Sequence, residues 1–65
     1  MDRLFKAIVI DDEPAARRLM KNLLLEHKDV VEVIGEASNG GEAIEKIESL
    51  LPDLIFLDIQ MPDLT

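Results

Sequence analysis

Acidic side chains follow two apolar segments of this chain, at the point where each segment ends. Asp11 and Asp12 come directly after the segment Ala7–Ile10. Asp58 comes directly after the segment Leu54–Leu57. Short apolar segments rich in β-branched residues are typical of buried strands in a parallel sheet. Open α/β sheets bind their ligands outside the carboxyl ends of the strands, so we expect Asp11, Asp12 and Asp58 to converge on one site.

Three neighbouring carboxylates favour a divalent cation. Like charges at close range raise one or more pKa values unless a cation neutralises them. Carboxylate oxygens without His or Cys are hard ligands that suit Mg²⁺ or Mn²⁺ rather than Zn²⁺ or Cu²⁺. Because Mg²⁺ is held by one or two carboxylates together with phosphate oxygens, one carboxylate remains for another task. A carboxylate can act as a nucleophile towards phosphorus, so the pattern predicts Mg²⁺-dependent phosphoryl transfer.

Hydrophobic periodicity predicts the elements that must position these acids. Pro14 favours the start of a helix, Pro52 ends one, and Ser38–Gly41 predicts a polar connection whose glycines supply backbone angles that other residues avoid. The predicted elements, in order, are the strand Ala7–Ile10, the helix Glu13–His27, the strand Val30–Ala37, the helix Glu42–Leu51 and the strand Leu54–Leu57.

This order predicts an α/β fold, a β-α-β-α-β unit with a parallel sheet. Right-handed crossovers favour the strand order 2-1-3, which is one half of a doubly wound, flavodoxin-like sheet with a helix on each face. In the second strand, Glu32 and Glu36 interrupt the apolar run, which indicates one exposed face or an edge position. The third strand is apolar throughout, so we expect both of its faces to be covered.

The composition excludes several classes of function. A chain of 65 residues forms at most one small domain, and its net charge of −7 argues against nucleic acid or an anionic membrane as a partner of this segment. No cysteine is present, so a disulfide or thiolate metal site is excluded, and this usage fits the cytoplasm. No apolar run is long enough to cross a bilayer, and no signal-peptide core is present. We expect a soluble, cytoplasmic, acidic module with no membrane partner.

Two motifs carry a resemblance to a known family. IVIDDEP, followed later by DLIFLDIQMPDLT, is similar to the receiver domain of bacterial two-component response regulators, and EVIGEASNGGEAI between them fits the same pattern. The resemblance implies that Asp58 is the phosphoacceptor, that Asp11, Asp12 and Asp58 form a Mg²⁺ site, and that the backbone carbonyl of Gln60 is a further ligand. It also implies a sensor histidine kinase as partner. EPAARRLMKNLL resembles regulators with a LytTR-type DNA-binding domain, which implies such a C-terminal domain in the parent protein.

The resemblance also implies that residues 1–65 are the N-terminal half of a single receiver domain. A complete receiver continues with a hydroxyl residue, a lysine and an aromatic residue that stabilise or report the phosphoryl group. The lysines of this chain lie in other contexts; they are Lys6, Lys21, Lys28 and Lys46. We therefore expect impaired phosphorylation of this half alone. We also expect self-association through the exposed edge of the third strand, because unpaired strand edges recruit other chains.

Other functions remain open at this point. The chain could be a structural half-domain that self-associates without phosphotransfer. Asp11 and Asp12 could simply stabilise a helix start through the helix dipole. A phosphohydrolase of the haloacid dehalogenase type would require two acids separated by one residue after the first strand, whereas here they are adjacent. We expect no enzymatic activity, and we interpret Glu13 as a helix-start residue and Asp53 and Asp63 as turn residues rather than ligands.

Overall fold

The computed structural model describes residues 3–57, which form a three-stranded parallel sheet flanked by two helices. The elements are β1 (Phe5–Ile10), α1 (Pro14–Leu25), β2 (Val31–Ala37), α2 (Gly40–Leu50) and β3 (Leu54–Leu57). The strand order is β2-β1-β3, with β1 in the middle. The predicted β-α-β-α-β unit and the predicted strand order are therefore confirmed.

Helix α1 is shorter than the sequence predicted. Glu13 is its N-cap residue in extended conformation, and the helix proper begins at Pro14, whose missing N–H costs nothing there. At the other end, hydrogen bonds between residues three apart replace the α-helical pattern after Leu25. The His27 amide, for example, donates to the Leu24 carbonyl at 2.9 Å. His27 therefore lies in a turn that follows the helix, rather than in the helix itself.

Helix α2 begins earlier than predicted because its N-terminus is capped. The Asn39 side chain accepts a hydrogen bond from the Glu42 amide at 2.9 Å, which satisfies one of the free donors of the first turn. Gly40 and Gly41 consequently belong to the helix, and neither has a positive φ, so the expected glycine turn is wrong. The residue that takes a left-handed conformation is Leu51, with φ of 50°, and it ends the helix.

The core lies on both faces of β1. On one face Ile8 and Ile10 pack with Ala37 of β2 and Ala43 of α2, and Ile34 and Ile47 complete this cluster. On the other face, by the alternation of strand side chains, lie Ala7 and Val9, both fully or almost fully buried. Leu24 is the buried residue of α1, which packs against β1 and β2.

One irregularity changes the pairing of β2. Ala7 pairs with Val33 but Ile8 pairs with Gly35, so Ile34 is an extra residue in β2. Glu36 then pairs with Val9 and lies on the α1 side of the sheet. The neighbouring Gly35 faces α2, because a Cβ built on it would lie 2.9 Å from the Leu50 Cδ1 atom. The two helices therefore cover opposite faces, as predicted.

Strand β3 is not covered on both faces within residues 3–57, so that prediction is wrong for the described structure. Leu57 is 55% exposed and Ile55 46% exposed, and neither described helix approaches this strand. The reason is geometric, because α1 and α2 both pack over β1 and β2. Leu19 and Leu23, which belong to the predicted apolar stripe of α1, are also exposed.

Asp53 fastens the start of β3 to β1. Its carboxylate accepts hydrogen bonds from the Lys6 amide and the Arg3 guanidinium, each at 2.9 Å, and its own amide donates to the Lys6 carbonyl at 2.7 Å. The bond from the Lys6 amide, and secondarily the charge and bond of Arg3, hold the pKa of Asp53 below its usual value. Asp53 is thus a clamp between strands as well as a turn residue.

Within residues 3–57 neither helix is long and apolar enough to span a membrane.

Candidate metal-binding end of the sheet

The carboxyl ends of β1 and β3 lie next to each other. Ile10 and Leu57 are Cα partners in the parallel pairing of these strands, and each is the last residue of its strand. Adjacent strands are separated by about 4.8 Å. Asp11 follows Ile10 directly, and its placement at this end of the sheet agrees with the prediction. Asp58 and Gln60, the other predicted site residues, lie outside the described residues.

Asp11 is held at three points. Its amide donates to the Ala37 carbonyl of β2 at 3.0 Å. Its carbonyl accepts a bond from Arg17 Nη1 at 2.8 Å, and its Oδ1 accepts one from the Glu13 amide at 3.0 Å. The residue is only 6% exposed, whereas Asp12 beside it is exposed. One acid of the pair is therefore fixed in the protein and the other faces solvent.

The acid pair retains oxygens for a cation. Within the described residues, no hydrogen bond engages Asp11 Oδ2, and no ion pair engages the carboxylate of Asp11 or Asp12. A buried carboxylate with a free oxygen next to an exposed carboxylate is an all-oxygen donor set of the kind that Mg²⁺ and Mn²⁺ accept. Residues 3–57 contain no cluster of three acidic, His or Cys ligands. Of the predicted ligands, the described residues include Asp11 and Asp12.

A charged cluster beside this site was missed by the sequence reasoning. Glu36 of β2 accepts a bond from Arg17 Nε at 2.9 Å and from Lys21 Nζ at 2.7 Å. These bonds, that of Lys21 first, lower the pKa of the Glu36 carboxyl below its usual value. Arg17 and Lys21 are four residues apart, which places them on one side of α1, and Glu36 interrupts an apolar strand. These two features of the sequence together could have indicated the contact between α1 and β2.

Two lysines that the sequence left without a role have structural partners. Lys21 binds the Glu36 carboxylate, and Lys46 Nζ donates to the Glu36 carbonyl at 2.9 Å. The carbonyls of successive strand residues point to opposite edges, and that of Ala37 points to β1. The Glu36 carbonyl therefore lies on the outer edge of β2, where Lys46 satisfies it.

An open groove of about 690 Å³ runs between α1 and β2. Its lining combines apolar residues, including Leu24 and Val33, with basic ones, including Arg18 and Lys28. Asp11 and Asp12 do not line it, so it is separate from the acid pair.

The arrangement defines an α/β protein with a pair of acidic residues at the carboxyl end of the central strand of its sheet. The model of the response regulator receiver domain family matches residues 7–65. The chain belongs to this family, which confirms the resemblance found in the sequence.

Known proteins support this assignment. The chain is 46% identical over 59 residues to the transcriptional regulatory protein BtsR of Salmonella typhi, and this alignment covers 91% of the chain and 24% of BtsR. It is also 46% identical over 59 residues to a protein-glutamate methylesterase/protein-glutamine glutaminase of Alkalilimnicola ehrlichii, covering 91% of the chain and 15% of that enzyme. The chain thus spans a quarter or less of the length of these relatives.

The fold is also that of a solved receiver. The structure of the signal receiver domain of NarL from Mycobacterium tuberculosis matches with a TM-score of 0.79 and 36% identity, covering 94% of this chain and 48% of that one. The described β-α-β-α-β unit is therefore a half of a flavodoxin-like receiver fold.

Proposed function

We propose that this chain is the signal-receiving phosphoacceptor part of a two-component response regulator, with Asp58 as the phosphorylated residue. The observation that supports the proposal best is the pairing of Ile10 with Leu57 at the ends of β1 and β3. An acidic residue follows each of them in the sequence, Asp11 after Ile10 and Asp58 after Leu57. Membership of the receiver family agrees with this role.

The proposed reaction is the transfer of a phosphoryl group from a histidine of the kinase to Asp58. A carboxylate oxygen of Asp58 attacks the phosphorus of a phosphohistidine in a sensor histidine kinase. An O–P bond forms while the P–N bond breaks, and its electron pair remains on the imidazole nitrogen. Asp11 and Asp12, with Asp58 and the Gln60 carbonyl, would hold Mg²⁺ or Mn²⁺. The bound ion would neutralise charge on the phosphoryl oxygens.

The remaining assignments follow from this role. The chain itself acts as a phosphoacceptor rather than as an enzyme, and it works in the cytoplasm, where histidine kinases present their phosphohistidine. The names of its relatives include a transcriptional regulator and a methylesterase, so this segment does not determine the output. A DNA-binding domain in the parent protein is the output that the sequence of α1 favours. We propose no nucleic-acid or membrane contact for residues 1–65, which carry a net charge of −7.

The proposal is tested by labelling with a small phosphodonor, such as acetyl phosphate, in the presence of Mg²⁺. Intact-mass spectrometry should detect a phosphorylated form that Asp58→Asn abolishes. Asp63→Asn is the matched control, because it removes an acid from the same segment without removing the proposed phosphoacceptor, and its labelling should equal that of the unchanged chain. Labelling of Asp58→Asn at the original level would overturn the assignment.

The extent of labelling should depend on length. The matched region covers 48% of the NarL receiver chain. We therefore expect low labelling of the 65-residue polypeptide and higher labelling of a polypeptide that spans a whole receiver, and the Asp58→Asn comparison is made in both. If neither length is labelled, the phosphoacceptor role is wrong.

A second candidate function is self-association through β3. Leu54, Ile55 and Leu57 are each more than a third exposed, and β3 pairs only with β1 among the described strands. An exposed apolar edge strand can add a strand from a second copy of the chain. The half-domain would then act as a structural unit without phosphotransfer, and sedimentation analysis over a range of concentrations detects this behaviour.

A further inference from the structure

Arg17 connects three elements at the acid pair. From α1, its Nε atom donates to Glu36 Oε1 of β2 at 2.9 Å, and its Nη1 atom donates to the Asp11 carbonyl, just beyond β1, at 2.8 Å. Its side chain is only 19% exposed. A guanidinium is planar and carries several donors in fixed directions, so one side chain can hold both acceptors at once.

The carbonyl that Arg17 holds controls the direction of the acid pair. The Asp11 carbonyl belongs to the planar peptide unit that continues into the Asp12 backbone nitrogen. Fixing the direction of this carbonyl therefore also fixes the orientation of the peptide plane that leads into Asp12. The Asp11 amide and Oδ1 are already bonded to Ala37 and Glu13, so the bond from Arg17 completes the restraint.

Arg17 does this without neutralising the acids. Within the described residues, its charge is paired with the Glu36 carboxylate, and it makes no ion pair with the carboxylate of Asp11 or Asp12. Glu36 is held in turn by Lys21, which fixes the position of the carboxylate that Arg17 contacts. The oxygens of the acid pair therefore remain available to a divalent cation.

We propose that Arg17 is a positioning residue that orients Asp11 and Asp12 for Mg²⁺ through its bond to the Asp11 carbonyl. This inference rests on the metal site of the proposed function. Residues that orient metal ligands change metal affinity by roughly 10- to 100-fold when they are replaced. The effect of Arg17 should lie near the lower end of this range, because Asp11 keeps its other bonds.

The test is Mg²⁺ binding to the 65-residue chain, measured by titration calorimetry with MgCl₂ alone, for Arg17→Gln and Arg18→Gln. Arg18 is the adjacent exposed arginine, so both variants lose the same charge. Loss of a positive charge near an acidic site favours cation binding, so electrostatics alone would tighten both variants. We expect Arg17→Gln to bind Mg²⁺ about 10-fold more weakly and Arg18→Gln to bind as the unchanged chain does or slightly more tightly.

A second readout separates positioning from general stability. Hydrogen exchange of the Glu13 amide, which donates to Asp11 Oδ1, should become faster in Arg17→Gln and stay unchanged in Arg18→Gln. Glu36→Gln removes the ion pair with β2 but keeps the bond to the Asp11 carbonyl, so it should weaken Mg²⁺ binding less than Arg17→Gln does. The Glu36→Gln variant also tests the inference if Arg17→Gln fails to fold. A 10-fold or larger loss of Mg²⁺ affinity in Glu36→Gln would contradict the inference.

The outcomes distinguish the inference from the function on which it rests. Mg²⁺ binding that Asp12→Asn weakens but Arg17→Gln leaves unchanged would overturn only the role of Arg17. No Mg²⁺ binding by the unchanged chain, or binding indifferent to Asp12→Asn, would overturn the metal site itself.

Discussion

The two outer edges of the sheet are built differently. Strand β2 is packed against both helices, carries an extra residue at Ile34, and has its outward Glu36 carbonyl bonded to Lys46. Strand β3 contacts only β1 among the described elements, and most of its side chains are exposed. Charged residues and bulges are common ways to prevent a strand edge from pairing with another chain. The β2 edge has both, whereas β3 has an apolar sequence.

The difference between the two edges shows which part of the described structure contributes most to its stability. The buried residues lie on β1, at the end of β2 and on the inner sides of α1 and α2. Strand β3 is attached by its pairing with β1 and by the Asp53 clamp. The half of the sheet that contains β2 should therefore respond strongly to mutation, and the half that contains β3 should respond weakly.

The sharpest test of this contrast uses one residue type in two environments. Ile8 of β1 and Ile55 of β3 are register partners, but Ile8 is 0% exposed and Ile55 is 46% exposed. Ile8→Ala leaves a cavity in the core and should reduce the free energy of unfolding by about 3 kcal/mol. Ile55→Ala should cost less than about 1 kcal/mol. Urea unfolding at low protein concentration measures both, and equal losses would show that β3 is packed as tightly as β1.

A smaller effect is expected from a charge at the open edge. If β3 pairs with a second copy, Ile55→Lys should keep the chain monomeric at concentrations where the unchanged chain associates, because a lysine on an edge strand opposes pairing. Leu19→Lys is the matched control, since Leu19 is 60% exposed on α1 and away from β3. Sedimentation analysis gives the average mass. A monomer at every concentration for the unchanged chain would contradict the self-association proposal.

The smallest effect on stability is expected from lowering the pH. Glu36 in β2 and Asp53 just before β3 both have a pKa that is lowered in the folded state by hydrogen-bond donors. For Glu36 these donors are Lys21 and then Arg17, and for Asp53 the main donor is the Lys6 amide. The unfolded chain therefore binds more protons over the affected range, so stability rises with pH there. The contribution is complete above the usual carboxyl pKa of roughly 4 and is lost as the pH falls towards the lowered folded values.

The variants Glu36→Gln and Asp53→Asn separate the two edges in this experiment. Each should make the free energy of unfolding fall less steeply between about pH 5 and pH 2. Glu42, whose pKa is lowered by the amide and hydroxyl of Ser38, contributes in the same direction and remains in both variants. A slope that neither substitution changes would show that these pairs do not persist in solution.

Local patterns were sufficient to predict most of the fold. The strand Leu54–Leu57 was predicted with its bounds as found, and the order of the strands followed from the handedness of crossovers. The start of α2 was misjudged because the capping by Asn39 competes with the turn preference of glycine. The cover of β3 could not be predicted from its own composition, because it depends on which elements lie above and below the strand.

The candidate site was predicted only in part. The position of the acid pair follows from the end of an apolar strand, so Asp11 and Asp12 could be located in advance. The partners of Asp11 could not, because the bonds from Arg17 of α1 and to Ala37 of β2 depend on how these elements pack against the end of β1. Glu32 and Glu36 are four residues apart, so a regular strand would place them on the same face. The structure places them on positions paired with Lys6 and Val9, which face opposite sides of β1.

The extra residue at Ile34 thus sets the face of the sheet on which Glu36 lies. If the same residues paired with β1 without this irregularity, Ile34 would lie opposite Ile8 and Glu36 opposite Ile10, which would turn the Glu36 carboxylate towards the face covered by α2. Arg17 would then lose the counter-charge that Glu36 supplies, although the strands would still be paired. A deletion of Ile34, by contrast, would leave Glu36 opposite Val9 and on the α1 side. The sequence of this strand is therefore constrained by register as well as by residue type.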